Sequence, residues 1–154
     1  ENISLINKYR RDVELFKNGS QESDYISVNE DEIPQEILEE VDNKKSRFLA
    51  ELLMKRKDDD IPFDEFFDYE PFLTLTMDHA DEIYQNEDDD GDKFLIYISS
   101  FKKEEESFFY VVLGFPFKQE KGHLVIPILS FPSNDTDLYP EYAKGESIKK
   151  KLTN

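Results

Sequence analysis

Phe94-Leu95-Ile96-Tyr97-Ile98, Phe108-Phe109-Tyr110-Val111-Val112-Leu113 and Leu124-Val125-Ile126-Pro127-Ile128-Leu129 decide the fold of this chain. Each is a short run of β-branched and aromatic residues of strand length. The connections between them, Lys102–Glu106 and Lys118–Gly122, are polar and short enough for hairpins. An antiparallel meander over about 93–131 follows. Pro127 has no amide hydrogen to give to a ladder, so the third strand is expected at an edge or bulged there. The middle strand is apolar on both of its faces, which calls for a cover on each. Helices would supply one cover, and the Phe-rich segment before the meander, or a second subunit, the other.

Upstream the apolar spacing changes from strand-like to helical. Ile6, Tyr9, Val13 and Phe16 recur at helical intervals and stop at Asn18-Gly19, where glycine suits a helix terminus. The spacing predicts a helix over about 3–17. An acidic connection follows, with strand character at Tyr25-Ile26-Ser27-Val28. Pro34 then opens a second, longer helix over about 34–57, because proline fits a first turn whose amide has no partner in any case. Its predicted buried stripe is Leu38, Val41, Phe48, Leu49, Leu52 and Leu53. Acidic residues (Glu36, Glu39, Glu40, Asp42) precede basic ones (Lys44, Lys45, Arg47, Lys55, Arg56, Lys57), the order that complements the helix dipole. The expected fold class is α+β, two N-terminal helices packed on a C-terminal antiparallel β-meander, with 1–154 as a single domain. A polar tail at 133–154 ends in the basic residues Lys144, Lys149, Lys150 and Lys151.

Between helix and meander, Asp58 to Asp92 holds fifteen carboxylates and no Lys or Arg, with Phe63, Phe66, Phe67, Tyr69 and Phe72 among them. The chain carries −17 at pH 7, so this segment accounts for nearly all of the imbalance. Such a field attracts cations and basic proteins, and repels nucleic acid and anionic lipid. Within it, Asp60-Ile61-Pro62 reads as cap and first turn of a short helix. Leu73, Leu75 and Met77 alternating with Thr74 and Thr76 predict a strand. Asp78 is placed as the cap of a short helix through Tyr84, with a continuing strand as the alternative. Asn86–Asp92 is a polar turn.

No catalytic signature emerges. Zero cysteines remove disulfides and thiolate chemistry. There is no Gly-rich phosphate loop and no serine in a nucleophile-elbow context. No apolar run is long enough for a bilayer, and the cytoplasm is the expected compartment. The sequons at Asn2, Asn18 and Asn134 point weakly to export. Asn86-Glu87-Asp88-Asp89-Asp90-Gly91-Asp92 overlays the start of a calcium loop, but its twelfth position is Tyr97 instead of a bidentate Glu. His79 lies among Asp78, Asp81 and Glu82, yet the only other histidine is His123. A solvated turn and a surface histidine are the plainer readings, so no metal and no cofactor are expected.

What remains is a docking surface: Asp58, Asp59, Asp60, Asp64 and Asp68 with Asp88, Asp89 and Asp90 as charge contacts, and Phe63, Phe66 and Tyr69 as aromatic anchors. The expected function is that of a non-enzymatic interaction module that occludes a basic protein or peptide, with possible homo-oligomerisation. In size, charge and helix-then-sheet order the chain resembles small acidic proteins of that kind, such as immunity proteins, secretion chaperones and DNA-mimicking inhibitors, without a motif diagnostic of any. The alternatives are an assembly module pairing through its sheet, or a metal-binding protein or hydrolase using the 78–92 carboxylates.

Overall fold

The computed structural model describes residues 35–119 and 122–149. The predicted helix over 3–17, the Tyr25–Val28 run and Pro34 lie outside the described residues. Helix α1 spans Gln35–Lys55, followed by a 3-10 helix at Phe63–Tyr69 and helix α2 at Pro71–Asp78. Strands β1 (Glu82–Glu87), β2 (Lys93–Lys103), β3 (Glu106–Gln119) and β4 (Gly122–Ser133) come next. A one-turn helix α3 (Tyr139–Tyr142) and strand β5 (Glu146–Lys149) complete the order.

The meander is present and wider than three strands. All neighbours are antiparallel, in the order β4-β3-β2-β1-β5. β4 is an edge strand and its pairing with β3 also slips between Leu113 and Gly114, where Pro127 meets Gly114. Edge and bulge together accommodate the missing amide. The segment from Ser133, which reads as a polar tail, sends Leu138 and Tyr142 into the core and lays β5 against β1.

The two faces of β3 find two covers inside the chain. Val111 and Leu113 join Phe94, Ile96 and Ile98 of β2 beneath α1, which contributes Val41, Phe48 and Leu52. Tyr110 and Val112 face the other way, onto Ile61, Tyr69, Leu73 and Met77. The Phe-rich segment is therefore the second cover. Phe66 packs against both clusters and seals one rim of the sheet.

Three local expectations are overturned. Residues 71–78 form a helix, not a strand: Leu73 and Met77, four apart, both face the sheet, and Leu75 between them is 46% exposed. A strand would have put all three on one face. Residues 82–87 form the strand, so the helix expected from Asp78 to Tyr84 is absent; Asp78 ends α2 instead. The stripe of α1 excludes Leu53, which is 53% exposed, and includes Lys44, which is 3% exposed.

Glu104 and Glu105 connect β2 to β3 with φ values of 49° and 75°. Two consecutive left-handed residues suit a right-twisted hairpin, but side chains there cost about 1–2 kcal/mol each unless the residue is Gly or Asn. Replacing the pair by Asn-Gly is expected to stabilise the protein by roughly 1 kcal/mol, raising Tm by about 2–4 °C. A calorimetric melt showing no gain would contradict this account of the turn.

Candidate functional site

The turn between β1 and β2 is built by Asp88. Its carboxylate accepts the amide hydrogens of Asp90 (2.9 Å) and Asp92 (3.0 Å), and its carbonyl accepts that of Gly91 (3.0 Å). Gly91, at φ +84°, makes the reversal without strain. The result aims three aspartates at α1, with carboxylate oxygens within 4.8 Å of one another. That spacing would suit a cation, and a cation is there: the Lys44 ammonium lies 2.9 Å from Asp92, 3.3 Å from Asp90, and in direct contact with Asp88. It also stands 4.8 Å above the ring of Phe115. One turn along, Arg47 bonds Asp90 at 2.7 Å.

The electrostatics follow from this enclosure. Burial disfavours the Lys44 charge, but hydrogen bonds to Asp88, Asp92 and Asp90 outweigh it, and its pKa rises above the ordinary 10.5. Burial likewise opposes ionisation of Asp88. Lys44 and the amides of Asp92 and Asp90 overcome it, holding the carboxyl below the usual 3.8. Asp90 is held low by Arg47 first and Lys44 second. Of the sequence-predicted charge contacts, Asp88 and Asp90 are thus already neutralised from within, and only Asp89 of the three projects freely.

Asp58, Asp59 and Asp60 sit at the other end of the sheet. Asp60 is 4% exposed and accepts hydrogen bonds from Ser133 Oγ (2.6 Å), the Asn134 amide (2.9 Å) and the Ile61 amide (2.7 Å). It is a structural tie, not the helix cap that its position suggested; the 3-10 helix has no side-chain cap. Ser133 lies in the row Ser100–Phe109–Ser133, seven positions along β2 from Lys93 and the aspartate turn, roughly 23 Å. The acidic segment therefore does not converge into one patch. It divides into a paired turn and an unpaired stretch.

The unpaired stretch is Asp58, Asp59, Asp64, Glu65 and Asp68, all exposed and none in an ion pair with a described Lys or Arg. Among the expected anchors, Phe63 is 40% exposed, with the Arg56 guanidinium 4.6 Å over its ring, whereas Phe66 is half-buried and Tyr69 is buried against Phe108. The anchor missed was Phe67, 71% exposed. Its spacing from Phe63 could have marked it, but an extra Phe in such a run reads as core.

Glu82 accepts hydrogen bonds from both the Tyr84 and Tyr139 hydroxyls. This ties β1 to α3. Burial, then Glu82, pushes the Tyr84 phenol up to about 12 and raises Tyr139 as well. His79 is 75% exposed at the end of α2, 2.6 Å from Asp78, with no further described carboxylate in an ion pair with it. Among the described residues no helix is long and apolar enough to cross a membrane. Compared with protein-family models, curated proteins and solved structures, the chain finds no match.

Proposed function

We propose that this chain is a non-enzymatic interaction module of the cytoplasm that binds a basic protein or peptide through the stretch Asp58–Asp68 and occludes its cationic surface. The observation that carries it is the division of charge: the aspartate turn spends its negative charge on Lys44 and Arg47, while Asp58, Asp59, Asp64, Glu65 and Asp68 have no such partner among the described residues. Phe67, 71% exposed in their midst, offers apolar surface to a partner. Carboxylates arranged in this way speed the encounter with a cationic surface and favour it over acidic competitors. A target built to hold phosphates is the natural ligand.

The assembly reading is less favoured, because both faces of Phe108–Leu113 are covered within the chain; among the described residues the sheet edges β4 and β5 are what remain to it.

The test is affinity capture with wild type and with Asp58, Asp59, Asp64 and Asp68 all changed to Lys; Asp60 is left intact because it is buried. A basic partner should be retained at low salt, released at high salt, and bound about a hundredfold more weakly by the variant. Phe67→Ala should weaken it about tenfold. Retention of the same proteins by the charge-reversed variant would end this reading.

A further inference from the structure

A cavity of about 480 Å³ opens between α1, the β1–β2 turn and α3. Its floor is apolar: Phe48, Phe94, Ile96 and Leu113. Its mouth carries the carboxylates of Glu51, Glu87, Asp89 and Glu141. The size falls within the roughly 300–1,000 Å³ of small-molecule sites, and an apolar body with a few charged groups at one end is their usual design. We propose that the cavity binds a small organic cation, a primary amine on an aromatic or short aliphatic body.

The sign of the ligand follows from what the walls already do. Lys55 places its ammonium 5.4 Å over the ring of Tyr142 and 3.7 Å from Glu141. An aromatic face beside a carboxylate is how an alkylammonium is recognised. Lys44, on the same helix, repeats the arrangement over Phe115 and among the aspartates. Lys55 holds its place loosely: its side chain is 31% exposed, and 3.7 Å is long for an ion pair. An incoming ammonium takes its position beside Glu141, the Lys55 head swings to solvent, and the ligand body lies on Phe48 and Phe94. The Tyr142 ring in the same wall is the aromatic face that the Lys55 ammonium occupies now. Arg47 and Lys144 also line the cavity, but Arg47 is engaged by Asp90, and the mouth keeps more carboxylates than free cations. In a chain of net charge −17 an anion is repelled before it arrives.

The experiment is calorimetric titration of the full chain with 2-phenylethylammonium, with 2-phenylethanol as neutral isostere and phenylacetate as anion. The amine should saturate one site in the millimolar range or below, about tenfold tighter than the alcohol, with no detectable phenylacetate binding. Glu141→Gln should weaken the amine about tenfold, and Lys55→Met, by removing the internal competitor, should tighten it. Ala50→Trp, an exposed α1 position at the cavity wall, should abolish binding. No saturation by the amine, equal affinity for the alcohol, or binding indifferent to Ala50→Trp would each overturn the proposal. Should any variant melt early, the Lys55→Met comparison against wild type decides.

Discussion

Replacing Lys44 by alanine is expected to remove about 3–5 kcal/mol of stability, the largest effect of any single charge removal in this protein. The wild-type ammonium is 3% exposed and is shared by Asp88, Asp90 and Asp92. Taking it away leaves three carboxylates crowded against a helix and an aromatic ring. Their mutual repulsion and partial burial then oppose the packing of α1 on the β1–β2 turn. In a domain of this size the loss lowers Tm by roughly 10 °C. Removing Arg47, which is 43% exposed, should matter little, since an exposed pair is screened.

The effect has a defined pH dependence. Asp88 ionises more readily folded than unfolded, so its contribution is complete above the usual 3.8 and fades as pH falls through the lower folded value. Lys44 is raised, so its contribution is complete below 10.5 and is lost as pH climbs from there through the higher folded value. In the alanine variant the aspartates gain by protonation. The stability gap between wild type and variant should therefore narrow as pH drops below about 4. Denaturant unfolding at neutral and acid pH measures it. A gap that is small at neutral pH, or that widens in acid, would contradict the assignment of Lys44 as the turn's resident cation.

Asp60→Ala is expected to be nearly as damaging, about 3 kcal/mol. The carboxylate satisfies the Ser133 hydroxyl and the amides of Asn134 and Ile61, joining the entry to the 3-10 helix to the end of β4. Alanine leaves these donors without a partner where water reaches poorly, at about 1–3 kcal/mol for each group that stays buried. Asp60→Asn should recover part of the loss, because one amide oxygen still accepts. Asp59→Ala, next door and exposed, should be silent. The comparison separates charge from position: two adjacent aspartates, alike in sequence, differ in consequence because only one is buried. Equal melting temperatures for the two alanine variants would refute it.

How much of this was legible depends on where the controlling contacts lie along the chain. The β-runs at 94–98, 108–113 and 124–129 carry their own signal in apolar, β-branched density, and the doubly apolar middle strand correctly demanded two covers. Helix α1 was equally plain from its spacing and sorted charges. Leu73-Thr74-Leu75-Thr76-Met77 was misread because its apolar residues satisfy a period of two and a spacing of four at once. The sheet face needing cover at Tyr110 and Val112 selected the helix. Lys44 reads from the sequence only as one of the basic residues that complement the helix dipole, since nothing near it in the chain marks it for burial. The aspartates that enclose it lie more than forty positions away.

The residue pattern by itself determined the antiparallel meander, the long helix and the size of the charge imbalance, because each depends on neighbours within a few positions. Only the tertiary structure decided which carboxylates remain available. Folding brings Asp88, Asp90 and Asp92 onto Lys44, buries Asp60 under Ser133, and leaves Asp58, Asp59, Asp64 and Asp68 facing water. Charge is additive along a chain, but its effect depends on distance and burial, and both are set by contacts between residues remote in sequence.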